Sequence, residues 1–126
     1  MADFNFSETL DKKHLIMMYE DDAERASVIF QIFVDGIQKE IELLQKLEKE
    51  GSDMEFIRKI HKIAPNFAMV GLTSETEALA EMESDGKAEG VTPSLRKRFS
   101  TFIAELPPKL ALVQNELARI KNHLEA

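Results

Sequence analysis

Cysteine is absent from this 126-residue chain, which removes disulfides, thiol nucleophiles and cysteine-ligated metals together. No apolar run approaches the length of a membrane span, and no basic-then-apolar signal pattern opens the chain. A cytoplasmic protein with no membrane insertion is therefore expected. Positive charge is in deficit. The 16 Lys and Arg residues against 23 Asp and Glu leave a net charge of −7, which argues against nucleic acid or an anionic membrane as the main partner. There is no glycine-rich phosphate loop, no G-x-G-x-x-G and no Walker motif, so the chain is not an autonomous kinase. No Ser or acid pair has an activating base at a readable spacing. Low-complexity stretches and internal repeats are also missing.

What the chain does contain is a 44% hydrophobic and 31% charged composition, as in soluble globular proteins. Its length suits one domain over residues 1–126 around a single core. No segment reads as a strand. A short first helix is expected over about Thr9 to Tyr19, with Leu10, Leu15 and Met18 as apolar contacts. Asp21 and Asp22 open a long second helix, where acids suit the positive end of the dipole. Its stripe runs Ala26, Phe30, Phe33, Ile37, Ile41, Leu44 and Leu47, and Gly51 ends it in a left-handed conformation. Ser52 and Glu55 form a capping box for a third helix. That helix carries Pro65 inside it and ends at Gly71, with Leu72 folding back as in a Schellman motif. Ser74 and Glu77 form a second capping box, opening a fourth helix with Leu79 and Met82 inward and fraying from Ser84 to Gly86. Thr92 and Pro93 read as N-cap and first helical residue. The last stripe, from Leu95 through Phe99, Phe102, Leu106, Leu110, Val113, Leu117 and Ile120 to Leu124, keeps phase across Pro107 and Pro108. One kinked helix, or two stacked end to end, should pack on the same core. The pattern is all-α: an antiparallel up-and-down four-helix bundle with a short additional N-terminal helix.

The third helix holds the candidate chemistry. Phe56, Ile60, Ile63 and Phe67 define its buried face, and at 100° per residue His61 points about 130° away from them, toward solvent. A presented imidazole is a nucleophile and proton acceptor. Arg58, Lys59 and Lys62 flank it, so an incoming anion meets positive charge. His14 and His123 have no such surroundings and read as surface or boundary residues. Glu81, Glu83 and Asp85 read as a solvated face, as do Glu40, Glu42, Glu48 and Glu50. Arg96, Lys97 and Arg98 are too short a basic cluster to recognise nucleic acid.

The segment from Ile57 to Leu72 resembles the signature of histidine-containing phosphotransfer domains. In that family an exposed helical His is followed by an apolar residue at plus two, a small residue or Pro at plus four and a Gly at plus ten. Ile63, Pro65 and Gly71 stand at those offsets from His61. The resemblance implies a phosphoryl carrier in which His61 takes the group through Nε2 from a receiver-domain aspartyl phosphate and passes it to another receiver. The implied partners are receiver domains of a hybrid sensor kinase and of a response regulator. The family's Mg²⁺ sits on the receiver, so no cofactor or metal is implied for this chain.

Arg58, Lys62, Ala64, Pro65, Ala68 and Gly71 are the residues expected at phosphate or receiver docking. Ala64, Pro65 and Ala68 would form a shelf of small side chains, and Met54, Ile57 and Met69 an apolar rim. Family members usually carry Lys at plus three, where this chain has Ala64; Arg58, one turn before His61, is the expected replacement charge. A lysine introduced at 64 is expected to favour the phosphorylated form. Two other readings fit the same residues: an unphosphorylated adaptor bundle that binds a receiver, and the phosphoacceptor domain of a chemotaxis-type kinase.

Overall fold

Five helices and no strands make up residues 3–126, the part of the chain that the computed structural model describes. They are α1 (Lys12–Tyr19), α2 (Ala23–Lys49), α3 (Asp53–Ala68), α4 (Thr73–Glu89) and α5 (Pro93–Glu125). No helix is long and apolar enough to cross a membrane. Helix α3 packs on α2 and α4, α5 packs on α2 and α4, and α1 rests against α2. The four long helices thus close a ring, and all five contribute to one buried cluster that includes Leu15, Phe30, Phe56, Leu79 and Leu95. Aromatic edges lock the helices together inside it. Phe56 of α3 meets Phe99 of α5 edge to face at 4.9 Å, and Phe67 of α3 meets Phe33 of α2 at 5.4 Å.

The chain reversals follow from a few residues. Asp22 caps α2 by accepting the Arg25 amide, and Thr92 caps α5 by accepting the Leu95 amide, with Pro93 next. At the end of α2, Gly51 takes φ 72° and the Ser52 amide bonds back to the Leu47 carbonyl. The same Schellman turn ends α3, with Gly71 at φ 81° and the Leu72 amide on the Phe67 carbonyl. Gly71 is doubly constrained, because a Cβ there would stand 2.9 Å from Leu10 and Leu15. Pro107 and Pro108 lie inside one continuous α5, and Leu95 and Leu117 are both buried in the common core. Phase across the prolines therefore reports a single helix.

Four local expectations need correction. Helix α1 starts at Lys12 instead of Thr9, because Asp11 caps it by accepting the His14 amide. Ser52 occupies the N-cap of α3 without a side-chain cap bond; the first turn is tied instead by Arg96 of α5, which donates to Asp53 and to the Glu48 carbonyl. Helix α4 begins at Thr73, one residue before the expected capping box, because the Schellman turn delivers Leu72 straight into it. The Thr73 hydroxyl turns to Asp11 at 2.6 Å. Nor does α4 fray at Gly86. It runs on to Glu89, because Gly86 is where α3 presses closest: a Cβ there would lie 2.2 Å from Ile57 Cδ1.

Asp11 links α1 to α4, and its carboxyl is held below the ordinary 3.8 first by the Thr73 hydroxyl and then by the His14 amide. A carboxyl lowered on folding stabilises the fold above its unfolded value and loses that contribution as pH falls through the lowered one. Asp11→Asn is therefore expected to be less stable than the parent at pH 7, with the gap closing toward pH 3. Urea midpoints at the two pH values check this.

The N-terminal segment is fastened by a carboxylate that sequence pattern did not single out. Glu116 of α5 is 1% exposed and accepts the Ser7 amide at 2.7 Å. It also pairs with Arg119, which donates to the Asn5 carbonyl and stacks over the Phe4 ring.

Candidate functional site

Helix α3 presents His61 because its other face is committed to the core. Phe56, Ile60, Ile63 and Phe67 are all buried, as their spacing requires, while the His61 side chain is 71% exposed. One side of the ring meets α4. Its Nδ1 lies 2.7 Å from Glu83 Oε2 on α4, a distance at which Nδ1–H donates to the carboxylate. Nε2 makes no hydrogen bond among the described residues. A carboxylate at Nδ1 favours the tautomer with the proton there and leaves the Nε2 lone pair without a partner.

The same Glu83 oxygen accepts from Lys87 Nζ at 2.7 Å. This hydrogen bond holds the Glu83 carboxyl below the ordinary 4.5, with His61 adding to the effect and partial burial opposing it. Glu83 is therefore ionised at neutral pH. Sequence reading placed Glu83 on a solvated face with Glu81 and Asp85. That reading holds for Glu81, which is exposed, but the Glu83 side chain is only 13% exposed. The missed signal is a register across two helices. Gly86 lets α4 approach α3 at Ile57, one turn before His61, and Glu83 stands one turn before Gly86.

Around the imidazole the expected residues divide. Arg58 and Lys62 are exposed, and neither has a carboxylate within ion-pair distance among the described residues. They line a depression of about 550 Å³ with His61, Glu83 and Lys87, over an apolar floor of Leu43, Leu47 and Ile57. Lys59 is engaged by Glu40 of α2. Pro65 is exposed and Ala68 half-buried, so both border the His61 face of α3. Met54 at 68% and Met69 at 37% exposure also reach solvent, whereas Ile57 is buried.

Two of the expected docking residues are not surface at all. Gly71 is buried in the turn beneath Leu10 and Leu15; its place in the motif reflects chain reversal. Ala64 is 5% exposed, and its carbonyl accepts the Thr76 hydroxyl of α4 at 2.7 Å. The shelf of small residues therefore reduces to Pro65 and Ala68. A lysine at 64 would force a long cationic side chain between α3 and α4, so the benefit expected from it reverses. Ala64→Lys should destabilise the fold by about 1–3 kcal/mol through overpacking and desolvation, read as a lowered denaturant midpoint.

A second groove runs between α2 and α3, about 500 Å³ in volume. Its apolar lining includes Ile32, Phe33, Ile37, Ile63 and Met69, with Lys59 and Lys62 at the edge nearer His61. Ile32 is 66% exposed. At the far end of α3, the buried Tyr19 hydroxyl donates to the Met69 carbonyl at 2.6 Å, and burial pushes this phenol up to about 12. The end of the His61 helix is thereby pinned to α1. Of the other histidines, His14 is half-buried, and His123 packs edge-on to Phe4. Among the described residues no group of three or more His, Cys, Asp or Glu could hold a metal.

Compared with protein families, curated proteins and solved structures, the chain finds no match.

Proposed function

We propose that this chain is a phosphorelay intermediate: an antiparallel four-helix bundle of the histidine phosphotransfer type that carries a phosphoryl group on His61 between receiver domains. The observation that carries the reading is the His61–Glu83 pair. An exposed imidazole with Nδ1 against a carboxylate has Nε2 left for chemistry. The ring of α2, α3, α4 and α5 supports the bundle topology, and the offsets of Ile63, Pro65 and Gly71 from His61 support the family resemblance.

The transfer follows from that geometry. The Nε2 lone pair forms the N–P bond in line with the breaking P–O bond to the receiver's aspartate, whose carboxylate leaves with the electron pair. No proton has to move at Nε2, and Nδ1 keeps its proton against Glu83. The ring becomes cationic as the bond forms, and Glu83 already sits where that charge develops. Positioning and charge compensation are what a loose phosphoryl-transfer transition state requires. Arg58 and Lys62 flank the incoming phosphoryl group. The apolar groove between α2 and α3 offers a receiver a docking face that shares Lys59 and Lys62 with the depression around His61. Return of the group to a second receiver is the same step reversed.

Incubation with a panel of receiver domains carrying isotopically labelled aspartyl phosphate tests the proposal. Acid-labile, alkali-stable label should move onto this chain. Absence of transfer from every receiver, or label that survives acid, would overturn it.

A further inference from the structure

Glu83 holds two partners through one oxygen, and only one of them is the histidine. His61 Nδ1 and Lys87 Nζ each lie 2.7 Å from Oε2. Lys87 is 64% exposed, and Glu83 is its only ion-pair partner among the described residues. Its ammonium sits on a flexible four-carbon stem that can reorient without disturbing α4. Gly86, the residue before it, seats this turn of α4 against Ile57 of α3, so the register between the two helices is fixed where Glu83 and Lys87 project. On α3 itself no cation can stand at position 64, because Ala64 is buried.

Charge balance changes when Nε2 is phosphorylated. In the form that attacks, the ring carries its proton on Nδ1 alone, and Glu83 and Lys87 compensate each other. Afterwards the ring is cationic and carries a dianionic phosphoryl group. The ring then satisfies Glu83 through Nδ1–H, while the phosphoryl oxygens present more negative charge to Lys87 than a single carboxylate does. We infer that Lys87 is the phosphate-compensating residue of this site: it moves from Glu83 to the phosphoryl oxygens when His61 is phosphorylated, supplying from α4 a charge that position 64 of α3 cannot and adding to Arg58 and Lys62. The inference rests on the phosphocarrier reading and adds to it a second state of the Glu83 clamp.

The sign of one equilibrium constant tests it. At high dilution the ratio of phosphohistidine to receiver aspartyl phosphate is independent of how tightly the partners dock. If Lys87 moves to the phosphoryl group, Lys87→Ala should shift that ratio about threefold toward the receiver, the size of an exposed charge interaction. Lys87→Arg should restore it. If Lys87 serves only to temper Glu83, its removal strengthens the carboxylate's hold on the cationic ring, and the ratio shifts toward phosphohistidine. That result, or no shift, overturns the inference. The carrier reading is tested separately by whether the parent protein takes label from any receiver. Protein phosphorylated chemically at His61 with phosphoramidate then gives an independent reading of the clamp. Its ³¹P titration midpoint should rise by about half a pH unit in Lys87→Ala, and an unchanged midpoint contradicts the inference.

Discussion

His61→Gln is expected to abolish phosphoryl acceptance while leaving the fold intact. The His61 side chain is 71% exposed, glutamine is compatible with a helix, and its amide can still donate to Glu83. Stability should change by less than about 0.5 kcal/mol, as for most exposed substitutions. Chemistry has no such substitute, because an amide nitrogen has no lone pair available for attack on phosphorus. Transfer from a phosphorylated receiver should fall to background. His14→Gln and His123→Gln should leave transfer unchanged. The His123 change gives up an aromatic contact with Phe4 at 5.4 Å, so its effect belongs on the melting temperature alone. Labelling assays beside thermal unfolding of the three variants separate these outcomes, and robust labelling of His61→Gln would remove His61 from the mechanism.

Glu83→Ala is expected to slow transfer by on the order of tenfold to a hundredfold, the range found when the orienting partner of a functional histidine is removed. Three contributions vanish together: the fixed Nδ1–H tautomer, the fixed ring plane, and the negative charge beside a ring that becomes cationic. Glu83→Gln keeps an acceptor for Nδ1–H but not the charge, so its rate should fall between Ala and the parent. Because the Lys87 hydrogen bond and His61 hold the Glu83 carboxyl below 4.5, the parent rate should show no Glu83 titration between pH 5 and 8. Rapid-quench transfer from a single phosphorylated receiver measures all three rates. Equal rates for Glu83→Ala and the parent would show that the carboxylate does not act on the imidazole during transfer.

The residues that sequence pattern placed correctly are those whose role depends on one helix. The stripe Phe56, Ile60, Ile63 and Phe67 is buried and His61 is exposed, because a 3.6-residue period assigns both faces at once. Gly51 and Gly71 end their helices with positive φ, as glycine after an apolar run implies. What pattern did not reveal depends on two helices meeting. Ala64 is small like its neighbours, the exposed Pro65 and the half-buried Ala68, yet α4 covers it. Glu83 belongs to an acidic run like that on α2, yet Gly86 brings it against α3. Ser74 and Glu77 match a capping box, but the turn at Gly71 starts α4 before Ser74. Arg96 looked like part of a loose basic cluster until Asp53 and Glu48 came within reach. Periodicity fixes which way a side chain points from its own axis; the partner across the gap is set by helix register.

In the proposed transfer His61 reacts through Nε2 while Glu83 faces Nδ1. Nitrogen-15 NMR of the imidazole in the phosphorylated protein tests it most directly. Phosphorus coupling is expected at Nε2 of His61, with a bonded proton at Nδ1. Phosphorus on Nδ1, or on any residue other than His61, would contradict it.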